Sequence, residues 1–231
     1  MKLLGLMPML LGLVTAAGCT QKPTTTIPYS QDFSVALGSE WFSMGGGWQV
    51  VDGRLYNDGA HNVPLWLDAA LPAEVRISFT AESKSEAVDM KVELFGDGRN
   101  HESGYIIILA GWNNSRSIIA RLAEHGERHN PPRTPATTES LRRELAADPR
   151  AARVQYADRR EITQRSAQMA PNTVYRLRVE RQDHELKFFV NDELHLEYFD
   201  PSPLSGEGHD RFAFNNWASQ VYFDDLKIER L

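Results

Sequence analysis

The amino-acid sequence predicts an all-β fold of antiparallel strands, a sandwich or a barrel. Three observations carry this: short stretches of strict apolar–polar alternation, two-residue turn signals between them, and about a dozen such stretches in one chain. Val75, Ile77 and Phe79 alternate with Arg76 and Ser78. Val88, Met90, Val92 and Leu94 alternate with Asp89, Lys91 and Glu93, and Tyr175, Leu177 and Val179 with Arg176, Arg178 and Glu180. Successive strand side chains point to opposite faces, so this pattern buries one face and wets the other. Tyr105-Ile106-Ile107-Ile108-Leu109 is apolar throughout, as expected of a strand covered on both faces.

The turns punctuate these strands. Asp52-Gly53 between residues 48–51 and 54–56 is a two-residue hairpin signal. Residues 186–190 and 194–198 flank a short Asn191-Asp192-Glu193 turn. The last strand covers residues 221–231, and its alternation breaks at Asp224-Asp225, which predicts a bulge.

The 231 residues carry 25 basic and 31 acidic side chains and a net charge of -6. That balance lacks the basic footprint of a general nucleic-acid binder. Lys2 followed by the apolar residues 3–14 reads as an export leader, too short to span a bilayer comfortably. Val14-Thr15-Ala16-Ala17-Gly18-Cys19 is similar to a bacterial lipobox, with Ala16 where Leu is commonest. Residues 1–18 are therefore expected to be removed and Cys19 lipidated. Cys19 is the one cysteine, so no disulfide is available to the exported chain. Residues 19–31, with Pro23 and Pro28, read as a tether, and residues 32–231 as the sandwich domain. Thr20 after the cysteine favours the outer membrane, by similarity to enterobacterial sorting.

One stretch departs from the strand pattern. Residues 128–165 hold nine Arg and five acidic residues, a local charge of +4. Asn130-Pro131-Pro132 opens it. Residues 139–147 read as a helix, with Thr138 as a possible cap and Pro149 as its stop. Asp158 to Glu161 could open a second helix, while 152–157 and 162–169 fit strand as well. The expectation is a partly helical insertion over about 128–170, either a solvated flap or an arm that docks a protein partner.

Three segments carry a family resemblance. They are Gly47-Trp48-Gln49-Val50-Val51-Asp52-Gly53-Arg54-Leu55, the pair from Thr173 to Arg181 and from Phe189 to Leu194, and Val221-Tyr222-Phe223-Asp224-Asp225-Leu226-Lys227-Ile228. Their order resembles the concanavalin A-like lectin/glucanase superfamily, nearest to laminin-G-like modules and the 3-keto-disaccharide hydrolase type of domain. The resemblance covers about residues 32–122 and 172–231. It implies a jelly-roll β-sandwich of two antiparallel sheets, and either glycan recognition or glycan cleavage. Glucanases of the superfamily place acidic residues at alternate positions on one strand. The spacing recurs in Glu193-Leu194-His195-Leu196-Glu197, with His in the middle and Leu194 and Leu196 expected on the core side.

The chemistry-bearing residues gather elsewhere. Two clusters place Trp beside paired Asn at the end of an apolar strand: Trp112-Asn113-Asn114 with Arg116, and His209-Asp210 followed by Asn215-Asn216-Trp217. Sugars are held by aromatic faces against C–H groups, with amides and Arg fixing the hydroxyls. Either these residues form a ligand site, or both Trp plug the core and the Asn build turns. A cleavage reading draws on Glu102 and His101, with His209 and Asp210. No cofactor is expected; Asp97 and Asn100 in a Gly-bearing loop are weak candidates for Ca²⁺ ligands. No zinc-like His spacing and no Gly-x-Ser-x-Gly elbow occur. The expected function is an envelope-anchored carbohydrate-binding lipoprotein that touches the membrane through its lipid only. The alternatives are a glycan-cleaving hydrolase or lyase of the 3-keto-disaccharide hydrolase type, and a structural or protein-binding envelope module with residues 128–165 as its docking arm.

Overall fold

A computed structural model describes residues 25–128 and 135–231. The 1–18 leader, Cys19, residues 20–24 of the expected tether, and Asn130, Pro131 and Pro132 of the insertion lie outside the described residues, whereas Tyr29–Gln31 at the end of that tether form a strand of the sandwich. Sixteen strands occur among the described residues: β1 (Tyr29–Gln31), β2 (Trp41–Phe42), β3 (Gln49–Val51), β4 (Arg54–Asn57), β5 (Leu65–Leu67), β6 (Val75–Ser83), β7 (Met90–Gly96), β8 (Tyr105–Ala110), β9 (Arg116–Arg121), β10 (Glu127–Arg128), β11 (Glu161–Ser166), β12 (Val174–Gln182), β13 (Glu185–Val190), β14 (Glu193–Phe199), β15 (Arg211–Asn215) and β16 (Val221–Arg230). They form two eight-stranded sheets. One runs β14-β13-β12-β6-β16-β4-β3, with β1 also on β16; the other runs β10-β11-β9-β8-β7-β15-β5-β2. β10 pairs with β11 in parallel. Every other pairing of these strands is antiparallel.

The predicted alternation closes the two sheets on each other. Ile77, Phe79, Leu177, Val179 and Phe223 of the first sheet meet Val92, Leu94, Ile107, Phe212 and Phe214 of the second in one core. Phe214 lies tilted 4.6 Å from Phe223 and edge-on 5.7 Å from Phe79, ring centre to ring centre, which ties the two sheets together. The run at 105–109 is buried on both sides, as its composition requires. Tyr105, Ile107 and Leu109 enter the main core, while Ile106 and Ile108 join Ile118, Ala120 and Ile162 on the outer face of the second sheet.

The hairpin at Asp52-Gly53 has both residues at positive φ, 52° and 71°, the geometry that a two-residue turn needs. The β13–β14 turn is shorter than expected: Asn191 and Asp192 make it, and Glu193 begins the strand. β16 carries its bulge between Asp224 and Lys227. A register shift at Phe188/Phe189 upsets the parity expected in β14, so Leu194 is exposed while Leu196 stays buried.

Two helices, Pro135–Ala147 and Pro149–Tyr156, follow β10. Pro149 does not merely stop the first; it opens the second, with the Asp148 side chain accepting from the backbone N–H of Arg150 and Ala151. The alternative start at Asp158 is not used, and residues 161–166 are strand β11, paired along its length with β9. Leu141, Ala152 and Tyr156 pack on Phe199, which seats the helices on the sandwich. Among the described residues no helix is long and apolar enough to cross a membrane.

Candidate functional site

The second sheet places β7 between β8 and β15. All three are antiparallel neighbours, so the start of β7 lies beside the ends of the other two: Met90 pairs with Leu109, and Lys91 with Asn215. The residues just past β8 and β15 therefore flank Asp89 and Lys91. Those residues carry Trp112 and Trp217. Together they line one groove of about 640 Å³, with Asn62, Ala87, Asp89, Lys91, Ile108, Asn113, Glu124, His125 and Ser219.

Each Trp is held up by its own device. Ala110, Trp112, Asn113 and Asn114 all take positive φ, between 50° and 57°. A left-handed run of this kind costs about 1–2 kcal/mol per non-glycine residue, less for Asn. It persists because its surroundings over-determine it. The Asn114 amide bonds the Met169 backbone at both its atoms, each at 2.8 Å, and Ser115 Oγ donates to Trp112 O at 2.7 Å. Behind the ring, the Arg116 guanidinium lies 4.2 Å from its centre, and His125 meets it edge-on. At Gly111 a Cβ would come within 2.9 Å of Asp89 Oδ1, so glycine keeps this approach open.

Trp217 stands on a loop pinned from below. Asn216 Nδ2 donates to Ser219 O at 2.6 Å and to Asn57 Oδ1 at 2.9 Å, and the chain carbonyls of Asn216 and Trp217 accept from Asn62 and His61. Asn216 is fully buried, and Trp217 is 53 % exposed. An indole so exposed does not plug a core. His61 packs edge-on against it at 5.1 Å.

The floor is a buried charge network on the outer face of β7. Lys91 Nζ donates to Asn62 Oδ1 at 2.7 Å and to Glu124 Oε2 at 2.8 Å. Glu124 Oε1 accepts from Asn62 Nδ2 at 3.1 Å. His101 Nδ1 sits 2.7 Å from Glu93 Oε1, and its Nε2 lies 3.6 Å from Glu124 Oε2. Asn215 Nδ2 donates to Glu93 at 2.6 Å, and Glu102 accepts the Glu124 backbone N–H at 2.6 Å. Burial pulls the His101 imidazole down, but Glu124 and Glu93 outweigh it and hold it at about 9. Burial likewise opposes the Glu124 carboxylate, and His101 and Lys91 still bring it to about 2. Asp89 goes the other way. Burial pushes its carboxyl up, Lys91 only partly offsets this, and Glu124 adds to the rise.

The nine residues expected at a ligand site thus divide. Trp112, Asn113 and Trp217 line the groove, and Arg116 backs Trp112. Asn114, Asn215 and Asn216 hold the scaffold with their amides. His209 and Asp210 lie at the far end of β15, where Arg211 pairs with Gly96, about 13 Å of strand away from Asn215. His101 and Glu102 stand behind the floor through Glu93 and Glu124. Asp97 turns its oxygens onto the N–H groups of Arg99 and Asn100 and the Asn100 amide. Among the described residues no group of three or more His, Cys, Asp or Glu is placed to hold a metal ion. Glu193 and Glu197 lie on β14, the edge strand of the other sheet.

Sequence reasoning missed Asn62, Asp89, Lys91, Glu124 and His125. Asp89 and Lys91 carried a usable signal, since the alternation of residues 88–94 already set them off the core face. A second hollow, of about 260 Å³, lies under the first insertion helix and is spanned by the ion pair of Arg142 with Glu185.

No protein-family model matches this chain. No curated protein sequence matches it significantly. Solved structures do match. A carbohydrate-binding module, CBM66, from Bacillus subtilis is 11 % identical with a TM-score of 0.58, over 90 % of this chain and 99 % of that one. A Bacillus licheniformis β-glucanase is 7 % identical with a TM-score of 0.56, over 88 % and 98 %. The laminarinase of Rhodothermus marinus is 12 % identical with a TM-score of 0.52, over 87 % and 96 %. The chain has the concanavalin A-like jelly-roll fold, a β-sandwich of two largely antiparallel sheets.

Proposed function

We propose that this protein is a carbohydrate-binding module whose site is the groove between Trp112 and Trp217. The observation that carries the reading is that two aromatic side chains 105 positions apart in sequence line one groove over a floor of amide, carboxyl and ammonium groups. That is the composition of a sugar site: apolar faces for the C–H surfaces and a few directed polar atoms for the hydroxyls. The fold neighbours support it, since one is named a carbohydrate-binding module, one a laminarinase and one a β-glucanase.

Recognition is favoured over cleavage by the state of the carboxylates. A two-carboxylate hydrolysis needs both groups free to reach the scissile bond. Both Glu124 oxygens are engaged, by Asn62 and Lys91, and Glu93 is fully buried under His101 and Asn215. Among the described residues that line the groove, Asp89 is the one carboxyl group left for such a role.

The test is calorimetric titration of the full chain, in a sugar-free detergent, against a panel of soluble glycans. The reading expects micromolar to millimolar binding to at least one glycan, lost in Trp217→Ala. A wild type that binds no glycan in the panel refutes it. Display on the outer membrane through lipidated Cys19 belongs to the same proposal and rests on the lipobox-like leader. Metabolic labelling with a fatty acid should tag the wild type and leave Cys19→Ala unlabelled.

A further inference from the structure

We propose that Lys91 and Asp89 form the polar floor of the groove and bind two adjacent hydroxyls of a neutral sugar ring, an inference that rests on the glycan-binding reading above. Lys91 is the first half. Its ammonium carries three N–H donors, of which Asn62 Oδ1 and Glu124 Oε2 take two. The third has no acceptor among the described residues, and Lys91 is only 2 % exposed. A buried ammonium with an unspent donor is costly, and a ligand oxygen is its natural complement.

Asp89 is the second half. Among the described residues its carboxylate accepts the backbone N–H of Trp217 and no hydrogen bond from a side chain, although Lys91 stands two residues along the chain in the same groove lining. The space beside it is kept clear by Gly111, whose missing Cβ would crowd Oδ1. The floor therefore offers one free donor next to a carboxylate with acceptor sites to spare, between two aromatic walls. A vicinal diol matches this pair, because one hydroxyl can accept from Lys91 while its neighbour donates to Asp89.

Charge selects the sugar class. The titratable groups facing Asp89 are Lys91, Glu124 and His125, so the lining holds two carboxyl groups against one ammonium already neutralised by Glu124. A uronate or sulfate would be set beside Asp89 and Glu124, and the lining ammonium is already paired with Glu124.

The experiment titrates the full chain, in a sugar-free detergent, with neutral gluco-, manno-, galacto-, fructo- and xylo-oligosaccharides and with uronic-acid oligosaccharides of equal length. Trp217→Ala, Lys91→Met and Asp89→Asn are measured alongside, each checked for folding by near-UV circular dichroism. Expected are binding of a neutral oligosaccharide, at least about tenfold weaker binding of its uronic counterpart, and losses of about tenfold or more in Lys91→Met and Asp89→Asn. Methylating one of the two adjacent hydroxyls should cost a similar factor. Burial holds the Asp89 carboxyl above its ordinary range, so on lowering the pH from 8 to 4 any weakening that comes from its protonation should be absent in Asp89→Asn. Glu124 and His101, at about 2 and about 9, keep their charges across that range. If Trp217→Ala abolishes binding while Asp89→Asn and Lys91→Met bind like wild type, or if uronic oligosaccharides bind as tightly as neutral ones, the floor assignment is wrong and the groove stands. Should Lys91→Met fail to fold, Asp89→Asn and the methylated sugars carry the decision. If nothing binds the wild type, both the groove reading and this inference fall.

Discussion

Two buried charge networks share the second sheet, and they are built to opposite ends. At the start of β7, Lys91, Glu124, His101 and Glu93 form a chain beneath the groove. At the end of β9, Arg121 pairs with Asp200 at 2.8 Å, both 1 % exposed. Arg121 also donates to three chain carbonyls, those of Ala157, Arg159 and Ser202, at 2.7–3.0 Å. Asp200 in turn accepts from the Tyr105 hydroxyl at 2.6 Å and from Ser202 N at 2.8 Å. Four hydrogen bonds thus leave Arg121, and they tie the end of the helical insertion and the loop after β14 to the sandwich. The Arg121 network is enclosed by the chain segments it ties together. The Lys91 network ends at a groove that Lys91 itself lines. Buried charge by itself identifies neither stability nor function; what separates the two is whether an unspent donor faces a groove.

That contrast can be broken by mutation. The largest effect is expected for Arg121→Met, which strands Asp200 in the interior. Urea denaturation should show a loss of about 3–5 kcal/mol, and a change below about 1 kcal/mol would mean the clamp holds little. Lys91→Met should cost less, about 1–3 kcal/mol, because His101 still offsets Glu124 after the ammonium is gone. Equal losses in the two variants would erase the distinction between closed and open networks.

The pH dependence of stability sharpens the same point. Glu124 falls from an ordinary 4.5 to about 2 in the folded protein, so its contribution is complete above about 4.5 and is lost as the pH drops toward 2. His101 rises from 6.5 to about 9, so its contribution is complete below about 6.5 and fades as the pH climbs through 9. Melting temperatures should therefore plateau between these limits, with Glu124→Gln flattening the acid limb and His101→Gln the alkaline one. Limbs unchanged in both variants would show that the network does not couple to folding. The smallest stability effect is expected for Trp217→Ala. The ring is half in solvent, so the melting curve should move by no more than about 0.5 kcal/mol while glycan binding is lost. A large stability loss there would make Trp217 part of the core.

The fold was more legible than the site. Alternation is a local property, and at Val75–Phe79 and Tyr175–Val179 it predicted the buried face of the strand; at Met90–Leu94 it predicted the core side, but the other side is buried too, because Lys91 and Glu93 sit in the charge network. The two Trp-bearing turns were legible too, because aromatic and Asn residues at strand ends are visible without a third dimension. The roles of the Asn residues were not. Asn113 faces the groove while Asn114, Asn215 and Asn216 are spent on Met169, Glu93 and Ser219, and only the position of those distant partners separates them. Pro149 shows the same limit on a smaller scale, since proline both ends one helix and begins the next, and Asp148 decides by capping.

What the chain determined alone, outside the irregular pairing of β13 with β14, is which way each side chain faces along its own strand, since the two-residue period needs no partner. It thereby put Asp89, Lys91 and Glu93 off the main core and placed a Trp just beyond each of two apolar strands. Strand order was decided in three dimensions. Setting β7 between β8 and β15 brings Trp112 and Trp217 to either side of Lys91 and delivers Glu124, which no motif marks, to its ammonium. The pairing of strands far apart in sequence depends on the whole core closing at once, so the groove exists only in the folded molecule.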